Sequence, residues 1–133
     1  MPRLAPVFLG LVLLLTGCNR SPPPQVPVRG QVLVNGQALR GGTVVFTPDD
    51  KRGARGPVSF AVLDGGGTFN LASENGPGAV HGWHRITVAP PPESSDLIAG
   101  LERYRHPDLS GLEFEVRDSR DNMVTLNLEW PTQ

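Results

Sequence analysis

Three histidines are the first side chains to consider for metal binding or acid–base chemistry. His81 and His84 lie three residues apart in a segment with strand-like alternation, and His106 lies in a later loop. Residues three apart on a strand point to opposite faces of the sheet, so His81 and His84 cannot chelate one metal ion together. We therefore expect His84 to lie in the core or at its edge, and we expect no metal site built from the three histidines.

The serines and carboxylates carry no stronger pattern for catalysis. Ser94, Ser95 and Ser110 lack the Gly-x-Ser-x-Gly setting of an activated serine nucleophile. The acidic residues at 49–50 and within 118–121 lack the ligand spacing of a calcium loop, which favours solvated turns. We expect a protein that is not an enzyme and that binds no cofactor.

Cys18 is the single cysteine and follows a segment with the features of an export signal. Arg3 supplies positive charge, and the apolar stretch from Leu4 to Leu15 is too short for a membrane-spanning helix, which needs roughly 20 residues. Leu15-Thr16-Gly17-Cys18 resembles the lipobox of bacterial lipoproteins. The resemblance implies that residues 1–17 are a signal peptide cut between Gly17 and Cys18, and that Cys18 carries S-diacylglycerol and N-acyl (palmitate) groups.

The residues after Cys18 predict a spacer between a lipid anchor and a folded domain. Residues 18–27 include three consecutive prolines, 22–24, which favour extended polyproline II structure. We expect a cell-envelope protein held on a membrane by its lipid. The residue after the cysteine is Asn19 and not the aspartate that is associated in some bacteria with retention at the inner membrane. The sequence therefore allows attachment to either the inner or the outer membrane.

Length and charge limit the number of domains and the kinds of partner that the chain can have. The chain has 133 residues and a formal net charge of −1, which allows one domain, placed here at residues 28–133. Removing residues 1–17 leaves 11 basic and 13 acidic side chains. Nucleic acid is not an expected partner, because its recognition requires a basic patch that displaces counterions from phosphates.

Period-two alternation along the domain predicts strands with one buried face. The alternating apolar runs are 26–34, 44–46, 58–62, 69–71, 80–88, 112–116 and 124–130. Asn35-Gly36 is a hairpin signal between the first two runs. About seven short strands separated by turns favour an all-β fold, an antiparallel β-sandwich whose two sheets cover each other.

The connection from Ala89 to Gly111 is the exception to this alternation. Ser95 to Tyr104 has room for a turn or two of helix, with Ser94 or Ser95 as its cap. Long connections in compact domains are often functional. Trp83, which falls outward in its strand, and Tyr104 in this connection are the predicted contacts for a ligand or partner. Trp130 continues the inward alternation and is expected in the core.

Three segments resemble carboxypeptidase-regulatory-like domains. Gly30 to Phe46 is similar to their strand, Asn/Asp-Gly turn and following strand; Asp64-Gly65-Gly66-Gly67-Thr68-Phe69 is similar to their "DxxGxF" turn; and His81 to Val88 is similar to their "pGxYxVxV" strand, with His84 in the usual tyrosine position. Together with the lipobox, residues 104–112 and 122–128 resemble a group of small bacterial lipoproteins built from one such domain.

The resemblance implies a transthyretin-like sandwich and no characterised activity. We therefore expect a structural or protein-interaction module, tethered to a membrane and contacting an envelope protein. The alternative is a domain that binds a small ligand or glycan through Trp83 and the 89–111 connection.

Overall fold

A computed structural model describes Pro2, Gly17 and residues 21–119 and 121–131, and over these residues the chain is an all-β sandwich, as predicted. The strands are β1 (Gln25–Val26), β2 (Val28–Val34), β3 (Gln37–Ala38), β4 (Thr43–Pro48), β5 (Ser59–Val62), β6 (Thr68–Asn70), β7 (Ala72–Ser73), β8 (Gly76–Pro77), β9 (Ala79–Val80), β10 (Gly82–Ala89), β11 (Leu112–Val116) and β12 (Asn122–Leu128). The strands begin at Gln25, inside the segment predicted as a linker, because β1 pairs with β9.

The larger sheet has the strand order β11-β10-β4-β5-β7-β8, and all its pairs are antiparallel. The long strands β4 and β10 form its centre. Alternate residues of β10 are buried, among them His84, Ile86 and Val88, as the alternation predicts. The intervening residues Trp83 and Arg85 are half-buried on the outer face of the sheet.

The smaller sheet is built around β2. β3 and β6 pair antiparallel with β2, and β12 pairs with it in parallel from Asn122↔Val28 to Leu128↔Val34. The predicted sandwich is antiparallel, and this pair of strands from opposite ends of the domain is the departure from it. It places the last strand of the domain beside the first long one, so that Val28, Val32, Leu126 and Leu128 all enter the core.

The core lies between the two sheets and contains Phe46 and Phe69 at a ring-centroid distance of 6.0 Å. Within the smaller sheet, the Phe69 ring of β6 packs over β2 because β2 has no side chain at Gly30. A Cβ at that position would lie 2.1 Å from the carbonyl oxygen of Val124 and 2.7 Å from the Phe69 ring. Gly30 therefore makes the room that the aromatic core needs.

The turn at Asn35-Gly36 has the geometry that the sequence predicts. Both residues have positive φ, at 48° and 83°, as a two-residue type I′ hairpin requires. The Asn35 side-chain oxygen also accepts a hydrogen bond from the backbone N–H of Trp130, at 3.0 Å. Trp130 is half-buried against the core instead of enclosed in it.

The 89–111 connection holds the predicted short helix, α1 (Ser95–Gly100), followed by a 3₁₀ turn at Glu102–Arg105. Ser94 occupies the cap position, as predicted, but its side chain makes no capping hydrogen bond. Leu101 and Tyr104 are buried. This connection therefore packs on the sandwich and extends its core.

The run 58–62 has the opposite orientation from the one its apolar residues suggest. Ser59, Ala61 and Leu63 are buried, whereas Val58, Phe60 and Val62 are exposed. The cause is the register with β4, in which Ser59 lies opposite the inward Phe46 and Phe60 opposite Val45. Cross-strand partners share a face, so the core-forming Phe46 carries Ser59 inward with it.

Candidate functional site: the outer face of the larger sheet

Three apolar side chains of one edge region lie exposed on the outer face of the larger sheet. Val58, just before β5, is 46% exposed; Phe60 is 51% exposed and Val62 71% exposed. Residues two apart on a strand share a face, so the three form one row, called here the β5 stripe. A contiguous exposed apolar surface marks a contact site more reliably than scattered residues do.

The neighbouring strands extend the β5 stripe sideways. Phe60 lies opposite Val45 of β4 and opposite Ala72 of β7. Val62 lies opposite Thr43, which adds a methyl and a hydroxyl group to the same face. On the inner face of the same strand, the buried Ser59 hydroxyl has a hydrogen-bond partner, because it donates to the Gly78 carbonyl at 2.9 Å. No charged side chain pairs with the stripe residues across these strand registers.

The other half of the same face carries ion pairs around a buried carboxylate. Asp49 is 6% exposed, and its Oδ2 lies 3.5 Å from the Nε atoms of both Arg52 and Arg85. Arg52 also donates to Glu113 at 2.8 Å, and Arg85 to Asp108 at 2.6 Å. The exposed pairs contribute little stability by themselves. The Asp49 carboxylate holds both guanidinium groups in place over the sheet.

Trp83 lies among these arginines. Its ring points outward from β10 and is half-buried, and the Arg52 guanidinium carbon lies 4.6 Å from the ring centroid. This distance is that of a cation–π contact. One face of the indole is therefore covered by the protein's own arginine, which reduces the surface that a sugar ring would stack on.

Tyr104 is not a surface contact residue, and its prediction as one is wrong. Its side chain is 1% exposed, and its hydroxyl accepts hydrogen bonds from the Glu129 backbone N–H at 2.8 Å and from Arg103 at 2.9 Å. A phenol with its ring in the core and its oxygen occupied cannot contact a partner. Position in a long connection carries no information about burial, and this is why the prediction failed.

The histidines do not converge. His84 is buried, with Nδ1 2.9 Å from the Gly82 carbonyl and with Nε2 lacking a hydrogen-bond partner, and burial lowers its pKa. His81 is exposed, 3.6 Å from Asp118. His106 lies 3.2 Å from Glu102, whose pKa is lowered chiefly by that hydrogen bond. Over the described residues, no group of three potential metal ligands comes together.

The remaining candidates have structural roles. The Ser110 hydroxyl donates to the Ile86 carbonyl at 2.6 Å and so closes the 89–111 connection onto β10. The side chain of Asp64 accepts from the backbone N–H groups of Gly66 and Thr68, at 2.9 and 2.8 Å. Its pKa is lowered chiefly by the hydroxyl of Thr68. The aspartate of the "DxxGxF"-like segment therefore shapes a turn.

The described part of the N-terminal segment leads to the same region of the molecule as the β5 stripe. The side-chain nitrogen of Gln25 donates to the carbonyls of Gly76 and Pro77 in β8, at 2.9 and 3.1 Å. The Ser73 hydroxyl donates to the side-chain oxygen of Gln25. Cys18 lies outside the described residues, and Gly17 is described only as an exposed, irregular residue.

A separate open cleft of about 630 Å³ lies under Trp130, between the β2–β3 turn and the 89–111 connection. Val34, Leu97 and Trp130 supply apolar surface, and Arg40 and Ser94 supply polar groups. Trp130 covers Gly100, where a Cβ would lie 2.9 Å from the indole ring. Sequence reasoning placed this tryptophan in the core, and the cleft was therefore missed.

A scan against protein-family models, a search of curated proteins and a search of solved structures each find no match for this chain. Among the described residues, no helix has the length and apolar character needed to cross a membrane.

Proposed function

We propose that the protein is a lipid-anchored component of a bacterial cell envelope, in which a non-catalytic β-sandwich serves as a structural or protein-interaction module. The proposal includes membership of the small lipoproteins with a single carboxypeptidase-regulatory-like domain. Its support in the sequence is the segment Leu15-Thr16-Gly17-Cys18 at the end of an apolar stretch. Two or three acyl chains on Cys18 anchor a protein firmly without a spanning helix.

The observation that carries a contact role for this module is the β5 stripe. Val58, Phe60 and Val62 are three of the five large apolar residues that are exposed in the described part of the chain, and they are adjacent. Leaving such a row in water forgoes the free energy of burial, which is roughly 25 cal/mol per Å² of apolar surface. A contact that covers the row recovers that free energy, so the stripe favours a binding surface over a bare face.

The anchor is tested by the mass and lipid content of the mature protein. The N-terminal peptide should begin at Cys18 and carry diacylglycerol and an amide-linked acyl chain, and cells fed labelled palmitate should incorporate the label. The Cys18→Ser variant should lose the label, whereas the adjacent Asn19→Ser variant should keep it. A mature wild-type protein with an unmodified N-terminus would exclude the proposal.

This contact role is tested by photo-crosslinking in intact envelopes. A crosslinking side chain at Phe60 should give products that the same side chain at Met123 does not give. Met123 is the matched control, since it is 60% exposed and belongs to the smaller sheet. Equal products from both positions would argue against the β5 stripe as the contact surface.

The cleft under Trp130 favours a second candidate function, the binding of a small ligand. The cleft is bordered by the 89–111 connection, as the alternative reading of the sequence requires, but its aromatic residue is Trp130 and not Trp83. Envelope glycan fragments should then shift Trp130 fluorescence in a Trp83→Phe background. A Trp130→Phe protein that binds the same fragments equally well would exclude the cleft as their site.

A further inference from the structure

We propose that the β5 stripe rests on the phospholipid bilayer to which the chain is anchored, so that the larger sheet lies with its outer face toward the membrane. This inference rests on the proposed function, because the lipid on Cys18 supplies the bilayer. It goes beyond anchoring, since a tether alone leaves the orientation of the sandwich undetermined.

The tether joins the fold at the β8 edge of the larger sheet. Gln25 is seven residues after Cys18, and an extended chain of that length reaches at most about 25 Å. Gln25 is fixed to β8 by two hydrogen bonds to the backbone of Gly76 and Pro77. The edge of the larger sheet that carries β8 is therefore held close to the membrane surface.

The β5 stripe lies two strands away from this attachment. Phe60 pairs with Ala72, and Ala72 pairs with Pro77, beside which Gln25 is held. Adjacent strands are about 4.8 Å apart, so two strand spacings put Phe60 roughly 10 Å from the point of attachment. A tether of about 25 Å can bring a stripe at that distance onto the membrane without strain.

The two outer faces of the sandwich differ in chemistry. The stripe exposes valine and phenylalanine, and the loop before it carries the exposed basic side chains Lys51 and Arg55 beside one exposed carboxylate, Asp50. Apolar side chains flanked by basic ones suit an interface of acyl chains and anionic headgroups. On the smaller sheet, the outward side chains are mostly polar: Arg29, Gln31, Thr68, Asn70, Thr125 and Asn127.

The extent of the stripe favours a membrane over a second copy of the chain. Three part-exposed side chains form a patch of a few hundred Å² at most, whereas stable protein interfaces bury about 800 Å² on each partner. A membrane contact does not need that area, because the tether already holds the surface at high effective concentration. A weak apolar contact is then enough to orient the domain.

The experiment uses the mature lipidated protein in vesicles of zwitterionic and anionic phospholipid, with one environment-sensitive fluorophore on a new cysteine. Separate proteins carry Phe60→Cys, Val62→Cys and, as the control on the other face, Met123→Cys. In the lipidated protein the Cys18 sulfur is alkylated, so the fluorophore reacts only with the introduced thiol. Mass spectrometry first verifies the lipid on Cys18.

Labels at positions 60 and 62 should shift to the blue and be quenched by nitroxide lipids, and the label at 123 should remain in water. With the label at 62, Phe60→Thr should lower the ratio of docked to undocked protein roughly tenfold, equivalent to about 1.4 kcal/mol. Met123→Thr should leave this ratio unchanged. Threonine favours strands, so both variants retain the local structure.

Three results would overturn the inference, and each is distinct. Labels at 60 and 62 that stay in water, on protein whose lipid is verified, overturn the orientation while the proposed function stands. Protected labels with energy transfer that grows with surface density assign the stripe to a second copy. An unmodified Cys18 overturns the proposed function and, with it, the inference.

Discussion

The phenolic oxygen of Tyr104 lies 2.8 Å from the backbone nitrogen of Glu129, just beyond the end of β12. This hydrogen bond joins the 89–111 connection to the last strand of the smaller sheet. The ring of Tyr104 is buried, with Arg103 packed over it at 4.6 Å. The long connection is thereby fastened to the smaller sheet through a residue of its 3₁₀ turn.

Tyr104→Phe should lower the free energy of unfolding by about 1–2 kcal/mol, because the Glu129 N–H loses its partner in a part-buried setting. Urea unfolding of the unlipidated Cys18→Ser protein measures this value. His106→Phe, an exposed substitution in the same connection, is the control and should change stability by less than about 0.5 kcal/mol. Equal stability of Tyr104→Phe and its parent would show that the hydroxyl does not fasten the connection.

Gly30→Ala should destabilise the sandwich by about 1–3 kcal/mol, the usual range for overpacking a core. The new Cβ would lie 2.1 Å from the carbonyl oxygen of Val124, a backbone atom that cannot turn aside. Gly65→Ala is the matched control, because no atom lies within 4 Å of a Cβ at that position. Thermal unfolding of the two variants should separate them; similar midpoints would contradict the packing described here.

Alternation predicted the strands well, but it could not decide which face of β5 is buried. The apolar run Val58, Phe60, Val62 and the run Ser59, Ala61, Leu63 alternate equally well, and the first is the more hydrophobic. The choice depends on register with β4, where Phe46 places Ser59 inward. Register is a long-range property, and alternation alone therefore predicted as core the three adjacent apolar residues that are exposed in the described part of the chain.

The candidate site was predicted only in part for a related reason. Trp83 points outward as its strand position requires, yet the covering Arg52 comes from a distant loop. The parallel pairing of β2 with β12 likewise joins segments about ninety residues apart, and local patterns do not carry that information. Local chemistry was sufficient for the Asn35-Gly36 turn, where two adjacent residues determine the geometry.

His84 should make stability depend on pH in mildly acidic solution. Burial lowers its pKa in the folded protein, whereas the unfolded chain binds a proton near pH 6.5. Below about pH 6.5 the unfolded state therefore holds more protons, and stability should fall with decreasing pH by up to about 1.4 kcal/mol per pH unit. The free energy of unfolding between pH 7.5 and about pH 5.5, above the range in which ordinary carboxylates titrate, measures this slope.

The His84→Leu protein should lose most of that slope, because leucine has no proton to bind. The exposed His81 is the natural control, and His81→Gln should retain the slope of the parent. The comparison concerns slopes and not absolute stabilities, since leucine also removes the contact between Nδ1 and the Gly82 carbonyl. An unchanged slope in His84→Leu would assign the pH dependence to other groups.

Asn122 should be the most sensitive polar position at the start of β12. Its side-chain nitrogen lies 2.8, 3.1 and 3.3 Å from the carbonyl oxygens of Arg117, Ser119 and Pro27, and its side-chain oxygen accepts from the Arg117 N–H at 2.9 Å. The residue is 4% exposed. Asn122 therefore links the turn before β12 to Pro27, the residue just before β2.

Asn122→Asp keeps the size and shape of the side chain but replaces the donor by a carboxylate oxygen facing three carbonyls. We expect a loss of about 2–4 kcal/mol in the free energy of unfolding at neutral pH, since a buried charge is left without donors on that side. Asn127→Asp, an exposed substitution in the same strand, should cost less than about 0.5 kcal/mol. Urea unfolding at pH 7 compares the pair, and equal losses would mean that Asn122 does not join the turn to β2.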